Sequence, residues 1–300
     1  MDRPVYRYFR DGSRISFGAD EFIFVELSES MSLVYALRVQ LITTEISSLK
    51  LTGVLDVCPS HISYMIRVDP NRTDPRDLVA TLGEAHEKFP DAENSVVETE
   101  IIEIPVFYDD PWTTEVLMKF RERHQSPAET DIAFLARTNG FSSVGDFVSA
   151  HSGSPFMTTF PCFVPGNAEC FQLVPAERQI QAPKYVSPRT ETPARAVGHG
   201  GAFTTIYPAQ SPGGYQLIGR SPVPVFDITQ SNPGFEESMV LARPGTIFKY
   251  RPIDYDEYFE IRASAECGQY VYRRSPVHFN YADFIQDIDG YNTRLMGELS

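Results

Sequence analysis

From Cys162 to Asp227 this 300-residue chain gathers the residue types that can hold and transform a small molecule. The stretch carries Phe163-Val164-Pro165-Gly166, Pro188-Arg189-Thr190, Val197-Gly198-His199-Gly200-Gly201, Ile206-Tyr207-Pro208 and Ser211-Pro212-Gly213-Gly214-Tyr215-Gln216-Leu217-Ile218-Gly219-Arg220. Clustered glycines let a backbone turn with positive φ and come close to a ligand, presenting N–H groups that hold an anion. Arg189 and Arg220 add planar guanidinium forks that can grip a carboxylate, carboxyphosphate or phosphate at two points. His199, with an ordinary pKa of ~6.5, is suited to proton transfer at neutral pH, although a lone histidine among glycines more often only hydrogen-bonds its loop. The competing reading is a set of tight barrel turns with no ligand.

Other chemistries are excluded by inspection. No Gly-x-x-x-x-Gly-Lys-Ser/Thr loop and no Gly-x-Ser-x-Gly elbow occur. His86-Glu87 opens a zincin-like pattern, but Pro90 stands where the second histidine belongs, and the 6 histidines show no paired ligand spacing, so no metal site is expected. No Ala-Met-Lys-Met attachment sequence is present, so any biotin would arrive on another chain. With 26 Lys+Arg against 40 Asp+Glu, the net charge of −14 repels phosphate backbones, which argues against nucleic-acid or anionic-membrane partners. Cys58, Cys162, Cys170 and Cys267 are too scattered for a redox or zinc pair and read as reduced thiols. Met1-Asp2-Arg3-Pro4 lacks a signal-peptide pattern, and no apolar run approaches the ~20 residues of a spanning helix, so a cytoplasmic location is expected.

The elements that must position the cluster follow from periodicity. Phe22–Leu27 reads as a buried strand, and Leu33–Ser48 as a helix with a wide apolar face. Gly53–Val57 and the alternating Ile62–Val68 read as strands. Asp74-Pro75 starts a second helix through Leu78, Leu82 and Phe89, and Ile101–Phe107 is a further strand. This strand, helix, strand, strand, helix, strand order matches a ferredoxin-like split βαβ arrangement, an α+β unit over residues 1–98. Helices are expected near Thr113–Arg123, Asp131–Arg137 and Val144–His151. Then 23 prolines and frequent glycines, densest from Pro155 to Pro233, predict short strands and tight turns, a mostly β barrel over residues 99–261. Residues 262–300 form an extension ending in an amphipathic helix over Tyr281–Leu299.

The Ile206–Arg220 run resembles the family of the B-type subunit of 5-oxoprolinase, or allophanate hydrolase subunit one, the carboxyltransferase C and D subdomain, to which a kinase inhibitor of bacilli also belongs. Val54–Pro59, Ile102–Tyr108, His151 and Arg243–Pro252 extend the likeness over about residues 13–255. The resemblance implies a cyclophilin-like barrel after the small domain, and a protein that works beside a homologous C-type carboxyltransferase or amidolyase partner. It implies ATP-dependent hydrolysis of a small amide, lactam or ureido compound with a lactam-utilisation subunit. The alternatives are carboxyl transfer from carboxybiotin with a biotin carboxylase subunit, or a non-catalytic inhibitor-like role. It further implies a pocket in which His199, Tyr207 and Arg220 carry the chemistry. Pro165, Gly166, Arg189, Gly200, Gly201, Thr204, Gly213, Gly214 and Gln216 would bind the substrate, expected to be a small anion or amide.

This chain departs from the family pattern at two places. The usual Phe-x-Pro-Gly-Phe-x-Tyr-Leu becomes Phe163-Val164-Pro165-Gly166-Asn167-Ala168-Glu169-Cys170, read as aromatics lost at Asn167 and Cys170. The usual Gly-Gly-Gln-Thr-Gly-Ile-Tyr-Pro becomes Gly201-Ala202-Phe203-Thr204-Thr205-Ile206-Tyr207-Pro208, with Phe203 in place of a glutamine amide, which points to a different substrate.

Overall fold

A computed structural model describes residues 6–299, so the expected absence of a leader at Met1 to Pro4 lies outside the described residues. The chain divides into two compact units. One holds the residues up to Val97 with Thr159–Pro161 and Phe279–Ile285, and the other holds Glu98–Thr158, Cys162–His278 and the chain from Gln286.

In the first unit the strands are β1 (Arg7–Tyr8), β2 (Arg14–Gly18), β3 (Phe22–Glu26), β4 (Val54–Pro59) and β5 (Ser63–Val68), with helices α1 (Leu33–Ser48) and α2 (Val79–Lys88). They form an antiparallel 5-stranded sheet in the order β1-β2-β3-β5-β4. Helix α1 forms where the periodicity places it, burying Val39, Ile42 and Ile46 against Ile23, Val25 and Ile66. The Asp74 carboxylate caps a 3-10 turn at Pro75–Leu78 by accepting from Arg76 N at 2.8 Å. Two terminal strands complete this sheet, whereas the last strand of the expected βαββαβ order joins the other one.

That strand is β6 (Val96–Tyr108), buried on both faces from Ile101 to Val106, as a strand flanked by neighbours on either side must be. Around it lie α3 (Pro111–Lys119), α4 (Asp131–Thr138), α5 (Val144–Ser152), β7 (Phe156–Pro161), β8 (Ala168–Gln172), β9 (Arg189–Thr192), β10 (Ala196–Gly200), β11 (Phe203–Ile206), β12 (Ser211–Gly213), β13 (Gln216–Arg220) and β14 (Ile247–Pro252). The chain finishes with α6 (Tyr255–Glu266), β15 (Arg274–Asn280), α7 (Tyr281–Gln286) and α8 (Ile288–Gly297). The strands form an 8-stranded sheet ordered β13-β10-β11-β8-β7-β14-β6-β15. Pairing of β13 with β6, Gly219 opposite Tyr108, closes it into a barrel with β15 outside the ring. Val197, Ile206, Ile218, Phe248 and Tyr250 fill the interior with Phe147 and Phe156.

The terminal helix is interrupted: Asp287 caps α8 through Gly290 N at 2.9 Å, so the amphipathic pattern is served by two short helices. Helix α6 had no counterpart among the expected elements, because its weakly apolar TyrAspGluTyrPhe start shows little periodicity. No helix of the described residues is long and apolar enough to cross a membrane.

Candidate functional site

Strand alternation decides which of the expected residues meet a ligand. On the hairpin β10–β11, His199 stands opposite Thr204 and Gly198 opposite Thr205. Thr204 pairs in turn with Cys170 of β8. His199, Thr204 and Cys170 face the barrel interior, where all three are fully or almost fully buried. His199 Nε2 lies 3.0 Å from Ile180 O, an acceptor only, so that nitrogen carries the proton and Nδ1 accepts from Thr204 Oγ1 at 2.8 Å. Thr204 Oγ1 then accepts from His151 Nε2 at 2.9 Å, and His151 Nδ1 accepts from Tyr108 Oη at 2.8 Å. The chain of bonds is internally complete. Burial lowers the His199 pKa to about 4 and pushes that of His151 well below its ordinary value. Both lie wholly buried in the core.

The opposite face of these strands opens on a cleft of about 580 Å³. Its floor is Glu169 and Thr205. Cys162, Phe163 and Asn167 border one side, and Tyr207, Gly213, Gly214 and Tyr215 another. Lys184, Tyr185, Val186 and Pro188 complete it. Of the expected site residues, Tyr207, Gly213 and Gly214 line this cleft. Gly200 sits beneath it, where a Cβ would overlap the Tyr215 ring, so its role is close approach of an aromatic side chain. Gly166, with φ of 86°, turns the loop that carries Asn167 into the cleft, and Pro165 is exposed on that turn. Gly201 turns the β10–β11 hairpin.

The two arginines do other work. Arg189 is wholly buried, donating from Nη1 to Tyr215 O at 2.9 Å and lying 4.5 Å from the Tyr185 ring centroid. Asp131 is equally buried. It accepts from Arg121 Nη1 at 2.5 Å, Tyr185 Oη at 2.7 Å and Leu217 N at 2.8 Å, with Arg189 Nη1 at 3.9 Å. Gln216 holds the same wall: its Nε2 donates to Pro183 O at 2.7 Å, and its Oε1 accepts from His124 Nε2 at 2.7 Å. These residues position Tyr185 and Tyr215. Arg220 lies outside the cleft, donating to Ala194 O at 3.1 Å with its guanidinium 5.8 Å from the Trp112 ring. Arg195 is spent on Pro222 O at 2.6 Å. No arginine is among the cleft residues, so a strongly anionic ligand finds only Lys184 there.

The polar centre is one that the motifs did not reveal. Glu169 Oε2 accepts from Tyr215 Oη at 2.9 Å, and Oε1 lies 3.5 Å from Cys162 Sγ. Glu169 is 5% exposed, and burial raises its pKa against the lowering effects of Tyr215, Cys162 and Lys184. Burial and the neighbouring Glu169 push the Cys162 thiol up to about 12, so it is no thiolate nucleophile. Lys184 Nζ sits 5.0 Å over the Tyr215 ring. The cleft thus offers aromatic side chains and one buried carboxyl whose burial favours the protonated form. The signal for Glu169 was in the sequence. Laid residue by residue on Phe-x-Pro-Gly-Phe-x-Tyr-Leu, the second aromatic position is Glu169, which shares the cleft with Asn167, while Cys170 faces the core. Phe203, where the glutamine amide was expected, packs its ring 5.8 Å from Phe171.

With this geometry in place, the chain matches the family model described as carboxyltransferase domain, subdomain C and D, over residues 13–235. It is similar to the urea amidolyase of Saccharomyces cerevisiae, 25% identical over 282 residues that cover 90% of this chain and 15% of that enzyme. It is 30% identical over 168 residues to the B-type subunit of 5-oxoprolinase from Bacillus subtilis, covering 56% of this chain and 59% of that protein. The crystal structure of the Kluyveromyces lactis urea carboxylase shares its fold, with a TM-score of 0.83 at 20% identity over 95% of this chain and 26% of that one. The chain spans less than two thirds of each of these relatives.

Proposed function

The chain belongs to the carboxyltransferase domain family, subdomain C and D, and from that premise we propose that it is one component of a heteromeric enzyme acting on a small amide, lactam or ureido compound. The observation that carries the reading is the cleft itself: Tyr185, Tyr207 and Tyr215 line it together with a buried carboxyl at Glu169. Such walls take a flat neutral ligand, and a carboxyl beside a hydroxyl serves its polar edge. The partner is a homologous C-type chain. ATP, in this reading, is bound elsewhere in the complex, with a lactam-utilisation subunit.

A second reading, a biotin-dependent carboxyltransferase component, is favoured by one observation. The similarity to urea amidolyase runs over 282 residues, whereas that to the 5-oxoprolinase component runs over 168. Carboxybiotin presents a flat ureido ring, and the tyrosine faces with Glu169 and Lys184 suit one. Bound there, it would supply the carboxyl group, while this chain's residues orient the ring and exclude water.

The test is to assemble the chain with a C-type partner and compare two activities. ATP-dependent loss of 5-oxoproline supports ring opening, and ATP-, biotin- and bicarbonate-dependent carboxylation of urea supports carboxyl transfer. An assembled complex that consumes no amide, lactam or ureido compound contradicts both.

A further inference from the structure

We propose that Glu169 is the group that recognises the substrate's amide, one carboxyl oxygen accepting its N–H and the other donating to its carbonyl, with Tyr215 fixing the carboxyl's orientation. This role deepens the amide-processing reading above and rests on it.

Position comes first. Glu169 is the second residue of β8, and alternation along that strand turns it to the cleft while Cys170 turns inward. Its Oε2 is held by Tyr215 Oη at 2.9 Å, and Tyr215 is itself seated over Gly200 and anchored through its carbonyl by Arg189. The carboxyl is therefore fixed in direction before any ligand arrives. Chemistry supplies the second step. A carboxylic acid offers one donor and one acceptor side by side, which is what a primary-amide side chain offers. That donor–acceptor pair lies on the floor of the cleft, beside Thr205. Burial favours the protonated carboxyl that this pairing requires.

A site built to hydrogen-bond an N–H discriminates against an isostere lacking it, because that hydrogen bond is then not made. The decisive probes are therefore 2-pyrrolidone, a lactam, and γ-butyrolactone, its ester isostere, titrated calorimetrically into the full 300-residue chain. The wild type is expected to prefer the lactam by at least about tenfold. Glu169→Ala is expected to lose the preference and Glu169→Gln, which keeps a donor and an acceptor on the same frame, to retain it. Circular dichroism and Tyr fluorescence check that each variant is folded. Failure to bind the lactam, equal binding of the two probes, or an undiminished preference in Glu169→Ala overturns the proposal, as does loss of the preference in Glu169→Gln. The preference is measured without turnover. An enzyme that turns over but shows no lactam preference would sink this inference alone, and a preference without turnover would sink only the enzymatic reading.

Discussion

Tyr215 donates its hydroxyl hydrogen to Oε2 of Glu169 across 2.9 Å, and the two residues come from strands that do not pair with each other. Glu169 is the second residue of β8, and Tyr215 immediately precedes β13. Between them in the sheet lie β11 and β10, whose Gly200 leaves the space that the Tyr215 ring occupies. The bond thus reports on the closed arrangement of that whole face.

Removing that donor should be costly. Tyr215→Phe removes a hydrogen bond to a buried carboxyl oxygen, which costs about 1–3 kcal/mol of stability. The same change frees the carboxyl's orientation, so ligand affinity should fall as well. Chemical denaturation and calorimetric binding of a lactam measure the two effects separately. A variant indistinguishable from the wild type in both would show that the bond does nothing.

A methyl group at Gly200 tests the packing beneath the cleft. Because its Cβ would overlap the Tyr215 ring, Gly200→Ala must displace that ring and is expected to cost about 1–3 kcal/mol. Gly297, in α8, has nothing within 4 Å of a built Cβ, so Gly297→Ala serves as the control and should leave stability unchanged or slightly raised. Equal denaturation midpoints for the two variants would contradict the packing described here.

The buried histidines predict a pH window. His199 has its pKa lowered from 6.5 to about 4 by burial, and His151 is lowered too. On acidification the unfolded chain binds protons first, so the stability these groups contribute is present above pH 6.5 and drains as the pH falls toward 4. At about 1.4 kcal/mol per pKa unit, His199 alone accounts for a loss on the order of 3 kcal/mol. Denaturation midpoints measured across that window should fall steeply for the wild type and less steeply for His199→Gln. Parallel pH profiles would show that the histidine does not titrate as its burial requires.

How much of this was legible in the sequence differs by level. Helix α1 is found with its boundaries as expected, since sixteen residues of helical spacing outweigh every local alternative. The cap at Asp74 was legible for a similar reason: a short polar side chain before an apolar run has one cheap use. The partner of a strand was not legible. β6 reads like any apolar strand, and only the pairing with β14 and β13 assigns it to the barrel. At the site, the glycine-rich run correctly marked the segment that builds the cleft, but residue type could not say which way a side chain points. His199 and Arg189 looked reactive because histidine and arginine usually are. The strand register sends the first inward, and the second is buried with its Nη1 on Tyr215 O. Glu169 was passed over because the altered motif position was read one residue on, at Cys170, and only burial sets this carboxyl apart from the rest of the 40 acidic residues.

The central claim is that this cleft is where the substrate is handled, and obstructing it tests that most directly. Gly214 has ordinary backbone geometry, and a Cβ there would stand 3.8 Å from Pro188 and 3.9 Å from Lys184, both cleft residues. Gly214→Trp therefore places an indole in the cleft without straining the fold. In the complex assembled with its C-type partner, we expect intact assembly and a fall in kcat/KM on the order of 100-fold. Turnover within about twofold of the wild type, with assembly and folding intact, would contradict it.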